Sequence, residues 1–212
     1  MDRDQLWQPQ FDFFRQEAPD ESEYLGQVRS LGELERRARQ CSRCGLRRGC
    51  RNVVFGEGPP DAVVMMVGEG PGAAEDAQGR PFVGPAGQLL DRILTAAGFR
   101  RSEVYITNVV MCRPPFNRLP QAPEVEACLP FLRAKIRLIR PRIVVCLGAL
   151  ATQTLIDPRA RITRVRGQWS ERDGVLYLPT YHPAALLRDE RKKRPVWEDF
   201  KKLRETYERL VG

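Results

Sequence analysis

The stretch "VVMMVGEGPGAAEDAQGRPFVGPAG", Val63–Gly87, decides how this chain is interpreted. An apolar run ends in a loop rich in glycine and proline, which is how many proteins build a ligand site at the end of a β-strand. The dinucleotide-binding pattern G-x-G-x-x-G/A is satisfied from Gly68 onward, but Glu69 lies inside it, where a carboxylate would repel a pyrophosphate. We expect no helix to open at Gly72 and an irregular chain until about residue 86. The loop should hold a flat, neutral group with carboxylates nearby.

Four apolar runs predict β-strands, at residues 62–67, 104–107, 142–148 and 175–180. Helical patterns occupy residues 28–40, 87–97, 123–139, 149–156 and about 195–210. Strands that alternate with helices favour an α/β fold, a three-layer α/β/α sandwich with a central, largely parallel four-stranded sheet. Ligands bind such sheets at the carboxyl ends of the strands, which here are the loop from Gly68, Asn108 and the loop after Leu178.

The charge of the chain favours a polyanionic partner. The 212 residues carry a formal net charge of +8, and seven arginines lie between Arg36 and Arg51. A surplus of this size is typical of proteins that bind nucleic acid, and a merely basic surface is the alternative.

Nothing in the sequence predicts export or a membrane partner. The first ten residues, "MDRDQLWQPQ", lack the apolar core of a signal peptide, and no apolar run approaches the roughly 20 residues of a membrane span. We therefore expect a cytoplasmic protein. We further expect it to be of prokaryotic type, nucleoid-associated and a monomer. Its six cysteines are then reduced thiols or metal ligands rather than disulfides.

Four cysteines are spaced as metal ligands. They form a C-x2-C pair and a later C-x15-C pair, and are Cys41, Cys44, Cys112 and Cys128. Four thiolates suit zinc or an iron–sulfur cluster, and Cys50 is an alternative third ligand for zinc. Cys146 falls inside an apolar strand and is interpreted as a core thiol.

The chain has one histidine, His182, in "PTYHPAALLR". It follows a predicted strand and opens a short helical segment, so it lies on a loop at the carboxyl edge of the sheet, where functional side chains gather. The alternative is a packed histidine with no chemical role.

Three motifs carry a resemblance to a known family: "GEGPGAAEDAQGRPFVGPAGQLL", "TNVVMCRPPFNRLP" and "PTYHPAALLR". With the four cysteines, they resemble the family 4 uracil-DNA glycosylases, the iron–sulfur branch of the uracil-DNA glycosylase superfamily. The likeness runs from about Leu34 to Leu210. One departure is Glu-Gly-Pro in the first motif, where many members have Glu-Ala-Pro. A sister group that bonds covalently to uracil-containing DNA fits worse, because "RITRVRGQWS" lacks that group's histidine.

The resemblance implies a DNA-repair hydrolase. Family members flip uracil out of DNA and hydrolyse its N-glycosidic bond, releasing uracil and leaving an abasic site without cutting the strand. They hold a [4Fe–4S] cluster, with a structural role, on residues matching Cys41, Cys44, Cys112 and Cys128. The expected domains are an N-terminal extension, residues 1–27, and a uracil-DNA glycosylase domain, residues 28–212.

Within that family the motifs suggest a role for each residue of the uracil site. Glycine at Gly68 and Gly70 lets the backbone approach the base, and Phe82 stacks on it. Asn108 pairs with the O4 and N3–H of uracil, and His182 stabilises negative charge that develops on O2. Glu75 is placed to crowd the methyl group of thymine. Glu69 is expected to orient water or to stabilise the cationic sugar, and Asp76 is the alternative to Glu69 in this role.

The DNA contacts are expected around and beyond the last motif. Leu186 and Leu187 are candidates to wedge into the vacated stack, and helix packing is the alternative for both. The candidates for phosphate contacts are Arg113, Arg118, Arg166 and Arg188.

Two other functions remain open from the sequence. A metal-stabilised nucleic-acid-binding module without catalysis explains the charge and the cysteines, but not Glu69, Asn108 and His182 at three strand ends. A nucleotide-binding oxidoreductase is disfavoured by the acidic first loop.

Overall fold

A mostly parallel sheet lies at the centre of the fold. In the computed structural model, which describes residue 25 and residues 27–212, the strands are β1 (Val64–Gly68), β2 (Val104–Asn108), β3 (Ile143–Leu147), β4 (Ser170–Arg172) and β5 (Val175–Thr180). Their order is β2-β1-β3-β5-β4, and every pair is parallel except β4 with β5. The four predicted strands are confirmed.

The fifth strand, β4, is an edge hairpin that the apolar pattern does not reveal. Its sequence, Ser-Glu-Arg, is polar, and it pairs with β5 across a turn at Asp173 and Gly174. Both turn residues have positive φ, 52° and 77°, as a tight hairpin turn requires.

Helices cover both faces of the sheet, which confirms the three-layer sandwich. They are α1 (Leu31–Arg39), α2 (Leu46–Gly49), α3 (Ala73–Gln78), α4 (Pro85–Ala96), α5 (Ala122–Ile139), α6 (Ala149–Leu155), α7 (Ile162–Val165), α8 (Pro183–Arg188) and α9 (Lys193–Val211). Single 3₁₀ turns occupy Arg101–Glu103, Pro115–Asn117 and Glu190–Lys192. In the part of the chain that the structure describes, no helix is both long enough and apolar enough to cross a membrane.

The core follows the two-residue period of the strands. Val64 and Met66 in β1 pack with α4, α8 and α9 on one face, whereas Met65 and Val67 pack with α5 and α6 on the other. Because both faces are covered, the parallel strands β1, β2, β3 and β5 are mainly apolar rather than alternating.

A third apolar cluster joins α1 to the outer side of α5. Leu25 and Val28 are buried there, and Arg137 of α5 donates hydrogen bonds to both of their carbonyls, at 3.0 and 3.3 Å. Residues 1–24 and 26, most of the predicted N-terminal extension, lie outside the described residues. The described chain is therefore anchored to α5 from Leu25.

The prediction that the chain stays irregular after Gly72 is wrong, because α3 opens there. Glu75 in its first turn accepts a hydrogen bond from the Gly72 N–H at 3.1 Å, which caps the helix. The helix ends after six residues at Gly79, whose φ of 71° is left-handed.

Candidate active site

The three predicted strand ends meet at one cleft. Gly68 and Asn108 are paired in register at the ends of β1 and β2, and the N–H of Gly148, after β3, donates to the carbonyl of Thr180 at the end of β5 at 2.9 Å. The cleft has a volume of about 690 Å³. Its walls include the predicted residues Glu69, Gly70, Glu75, Phe82, Asn108, Arg118, His182 and Arg188.

Glycine is required where β1 enters the cleft. A Cβ on Gly68 would lie 2.4 Å from Asn108 Oδ1 and 2.6 Å from Phe82 Cζ. A Cβ on Gly70 would lie 2.8 Å from a methyl group of Val110. Any side chain at Gly68 would therefore displace the two groups that were predicted to hold the base.

Asn108 carries a buried acceptor that the protein leaves free. Its side chain is 2% exposed, and its Oδ1 has no hydrogen-bond partner among the described residues. An unpaired buried acceptor costs about 1–3 kcal/mol, which a ligand N–H in the cleft would recover.

His182 is held as a neutral ring with a defined tautomer. It caps α8, and its Nδ1 accepts a hydrogen bond from the Ala184 N–H at 3.1 Å. Burial, helped by the nearby Arg188 cation, lowers the pKa of His182 to about 4. Because Nδ1 accepts, the proton of the neutral ring lies on Nε2, which is a hydrogen-bond donor.

Phe82 forms one wall of the cleft beside His182. Their ring centroids are 5.5 Å apart with the planes tilted by 32°. The backbone of Phe82 has φ 51°, an unusual value for a residue with a bulky side chain. A conformation of this kind persists only where the surroundings impose it.

Two charged residues impose it. Arg101 donates hydrogen bonds to the carbonyls of Phe82 and Pro81, at 3.1 and 2.7 Å, and is itself paired with Glu57 and Asp91, both at 2.7 Å. On the other side of Phe82, the Glu75 carboxylate accepts from the N–H groups of residues 83 and 84, at 2.9 and 2.8 Å. Arg101 gave no sequence signal, because its partners are far apart in the chain.

Glu69, the carboxylate predicted to handle water or the cationic sugar, lines the cleft. Burial raises its pKa, and the Arg188 cation opposes the rise. Gly148 lets it approach His182, since a Cβ there would lie 3.0 Å from both Glu69 Oε1 and His182 Cβ. Asp76, the alternative carboxylate, instead accepts from the Arg51 N–H at 2.8 Å. Gly148 was missed, although the glycine directly after the third predicted strand was a signal for it.

The two leucines of α8 separate. Leu186 is 1% exposed and lies in the core, whereas Leu187 is 49% exposed. The helix-packing alternative therefore holds for Leu186, and Leu187 alone faces solvent as a candidate wedge.

The candidate phosphate contacts also differ from one another. The guanidinium of Arg166 bonds the buried carboxylate of Asp199 and the Pro195 carbonyl, so its contacts are internal. Arg118 pairs with Glu124 at 2.6 Å and Arg113 donates to Asn117 at 2.7 Å. Arg188 lines the cleft, together with residues that sequence reasoning missed: Ile162, Thr163, Tyr181 and Lys192.

The four predicted metal ligands converge between α1 and α5. Cys112 interacts with Cys44 and Cys128, and Cys128 also with Cys41. Burial raises the pKa of Cys128 to about 11, and the nearby Lys135 cation opposes the rise. Cys50, the alternative ligand, also interacts with Cys112, and Cys146 is buried inside β3 as predicted.

A buried cation lies beside these thiols. Lys135 is 0% exposed on α5, donates to Thr107 Oγ1 at 3.0 Å, and has Cys128 as a charge partner. Among the described residues, no three His, Cys, Asp or Glu side chains meet closely enough to share one metal ion. A [4Fe–4S] cluster instead offers a separate iron atom to each thiolate. The donor set and the neighbouring ammonium suit an anionic cluster of that kind.

Comparisons with known proteins identify the family of the chain. A family model described as "Uracil DNA glycosylase superfamily" matches residues 55–204. The chain belongs to this superfamily. A type-4 uracil-DNA glycosylase of Sulfurisphaera tokodaii is 43% identical over 185 residues, covering 83% of this chain and 84% of that protein. The type-4 enzyme of Thermotoga maritima is 46% identical, with coverages of 80% and 90%, and that of Archaeoglobus fulgidus is 40% identical, with coverages of 84% and 94%. The family 4 resemblance of the motifs is confirmed.

Proposed function

We propose that the protein is a monofunctional uracil-DNA glycosylase of base excision repair. It flips uracil out of DNA and hydrolyses the N-glycosidic bond, releasing uracil and leaving an abasic site. The observation that carries the proposal is the free, buried Oδ1 of Asn108 in a cleft walled by Phe82 and His182.

Recognition of uracil rests on the amide of Asn108. Its Oδ1 accepts the N3–H of uracil, and its Nδ2 donates to O4. Cytosine presents an acceptor at N3 and a donor at its amino group, so both contacts fail and the mismatch costs about 1–3 kcal/mol. Phe82 stacks on the flipped base, and Glu75, which braces the loop, crowds the position of a thymine methyl group.

Bond cleavage places negative charge on uracil O2 and positive charge on the sugar. His182 donates its Nε2–H to O2, and because the ring is neutral it stabilises the charge without giving up its proton. Glu69 orients water or stabilises the cationic sugar. A raised pKa suits a carboxylate in this position, because it makes Glu69 a better proton acceptor than an ordinary glutamate.

The proposed metal ligands would hold a [4Fe–4S] cluster, which supplies a covalent cross-link when bound. These residues are Cys41, Cys44, Cys112 and Cys128. The cross-link fixes the arginine-rich segment after α1 to the loop that follows Asn108. Lys135 neutralises part of the negative charge of the thiolates.

The protein binds DNA through its positive charge and through an apolar side chain inserted between the bases. The net charge of +8 draws the phosphate backbone, Arg188 and Lys192 contact it at the cleft, and Leu187 enters the vacated stack. We propose that the protein does this as a monomer, on the DNA of the nucleoid.

The deciding experiment is release of uracil from an oligonucleotide with one uracil, in single- and double-stranded form. The expected products are free uracil and an alkali-labile abasic site in an uncut strand. Tight binding of uracil-containing DNA without uracil release would overturn the proposal in favour of a non-catalytic binding module.

A further inference from the structure

The most exposed large apolar side chain among the described residues lies beside the cleft. Phe116 is 99% exposed, in the loop between β2 and α5. Both Phe116 and the following Asn117 have φ 55°, in the left-handed region that costs energy for residues other than glycine. The loop therefore holds an aromatic ring in water on a strained backbone.

The loop is braced, so the exposure is a fixed feature. Arg113 donates to Asn117 Oδ1 at 2.7 Å, and Arg118 makes two hydrogen bonds to Glu124, at 2.6 and 2.8 Å. Glu124 also accepts from the Gln121 N–H at 2.8 Å. The prolines at positions 114, 115 and 120 fix φ on either side of the ring.

The braced loop belongs to the rim of the proposed active site. Asn117, Arg118 and Leu119 line the same cleft as His182. A Cβ on Gly70 would lie 3.8 Å from both Pro114 and Pro120, so the loop packs on the uracil-binding backbone. An exposed aromatic ring between two arginines is the arrangement with which proteins stack bases and hold the backbone of open DNA.

We propose that Phe116 stacks on the base next to the flipped nucleotide. This inference rests on the proposed function, because flipping leaves a neighbouring base without its stacking partner. Phe116 covers that base from the β2–α5 loop, while Leu187 of α8 provides a separate apolar contact. The strained backbone is maintained because it presents the ring to DNA.

The test uses the full chain and an oligonucleotide with 2-aminopurine beside an abasic-site analogue, so that binding is read without catalysis. Phe116→Ala is expected to bind about tenfold more weakly and to lose quenching of the 2-aminopurine fluorescence. Phe116→Trp, which keeps an aromatic ring at this position, is expected to retain the affinity and the quenching of the wild type. The matched control is Val211→Ala, which truncates a side chain 48% exposed at the end of α9 and is expected to bind like the wild type.

Wild-type affinity and quenching in Phe116→Ala would overturn the proposal. Uracil release at saturating enzyme is measured in parallel for the wild type and for Phe116→Ala. Absence of release from the wild type would overturn the proposed function instead, and the binding arm would still decide the role of Phe116.

Discussion

The N–H of Ala184 donates a hydrogen bond to Nδ1 of His182 at 3.1 Å. This contact comes from the first turn of α8, so the backbone itself sets the tautomer of the ring. Burial and the nearby Arg188 cation disfavour a positive charge on the imidazole. His182 is thereby prepared as a neutral donor before any substrate arrives.

His182→Ala is expected to reduce single-turnover uracil excision by about 100-fold or more, the range for loss of one oxyanion donor. DNA binding should change little, because the donor acts mainly in the transition state. The measurement is single-turnover excision together with affinity for the same oligonucleotide. Excision at the wild-type rate would return His182 to the role of a packed residue and move catalysis to Glu69.

The acid side of the pH–rate profile should have two steps. In the proposed mechanism, excision needs ionised Glu69, whose pKa is raised above the usual 4.5, and neutral His182, whose pKa is lowered to about 4. As pH falls, the rate therefore drops first through the pKa of Glu69 and again near pH 4. Glu69→Gln should remove the first step from single-turnover rates measured between pH 4 and 8.

Histidine protonation should also lower stability in acid. The pKa of His182 is about 4 in the folded protein and 6.5 in the unfolded chain, so between these values the unfolded chain binds the extra proton. The contribution of His182 to the free energy of unfolding is therefore greatest above pH 6.5, and it is lost as the pH falls toward 4. Urea unfolding of the wild type and His182→Ala across this window measures the contribution, and parallel curves would contradict it.

Asn108→Asp should exchange the specificity of the cleft. A protonated carboxyl group at this buried position donates through its O–H to the acceptor at cytosine N3 and accepts from the cytosine amino group. We expect weak cytosine excision together with a large loss of uracil excision. The assay compares oligonucleotides that differ only in uracil or cytosine, with Asn108→Ala as the control that should excise neither.

Arg101 should act through Phe82. Arg101→Ala releases the Phe82 carbonyl and is expected to weaken inhibition by free uracil, as Phe82→Ala does, by roughly 1–3 kcal/mol of stacking. If the arginine acts only by positioning the ring, free uracil inhibits the double variant no more weakly than it inhibits Phe82→Ala. Arg100→Ala is the matched control, since Arg100 pairs with Glu103 at the surface. Fully additive losses would show that Arg101 has a different role.

Cys41→Ser and Cys128→Ser should lose iron and solubility, whereas Cys146→Ser keeps both. The expectation follows from the convergence of the four ligands and from the burial of Cys146 inside β3. Iron per chain and absorbance in the visible range are the readouts. Cys50→Ser is expected to keep its iron. Loss of visible absorbance in Cys50→Ser but not in Cys128→Ser would require a different set of ligands.

The sequence predicted the sheet and the strand-end residues because both depend on local pattern and on a general property of parallel sheets. It failed at α3, whose six residues are too short for a helical period and which is capped by Glu75. The sequence also predicted the same wedging role for Leu186 and Leu187. The side chains of consecutive residues on a helix point in directions about 100° apart, so the two leucines lie on different faces. The internal role of Arg166 depends on Asp199, which lies 33 positions later on α9 and could not be paired with it in advance.

The strand order has a consequence for synthesis. β5 pairs with β3, and His182 comes just after β5, so the position of His182 depends on strands that are all synthesised before it. His182 follows Gly68 by 114 positions and Cys128 by 54. A growing chain therefore carries all four proposed iron ligands and the whole of the proposed base-binding loop well before the proposed catalytic histidine leaves the ribosome. On the proposed function, the cluster can be inserted into a chain that still lacks the histidine needed for uracil excision, so activity on DNA is acquired last.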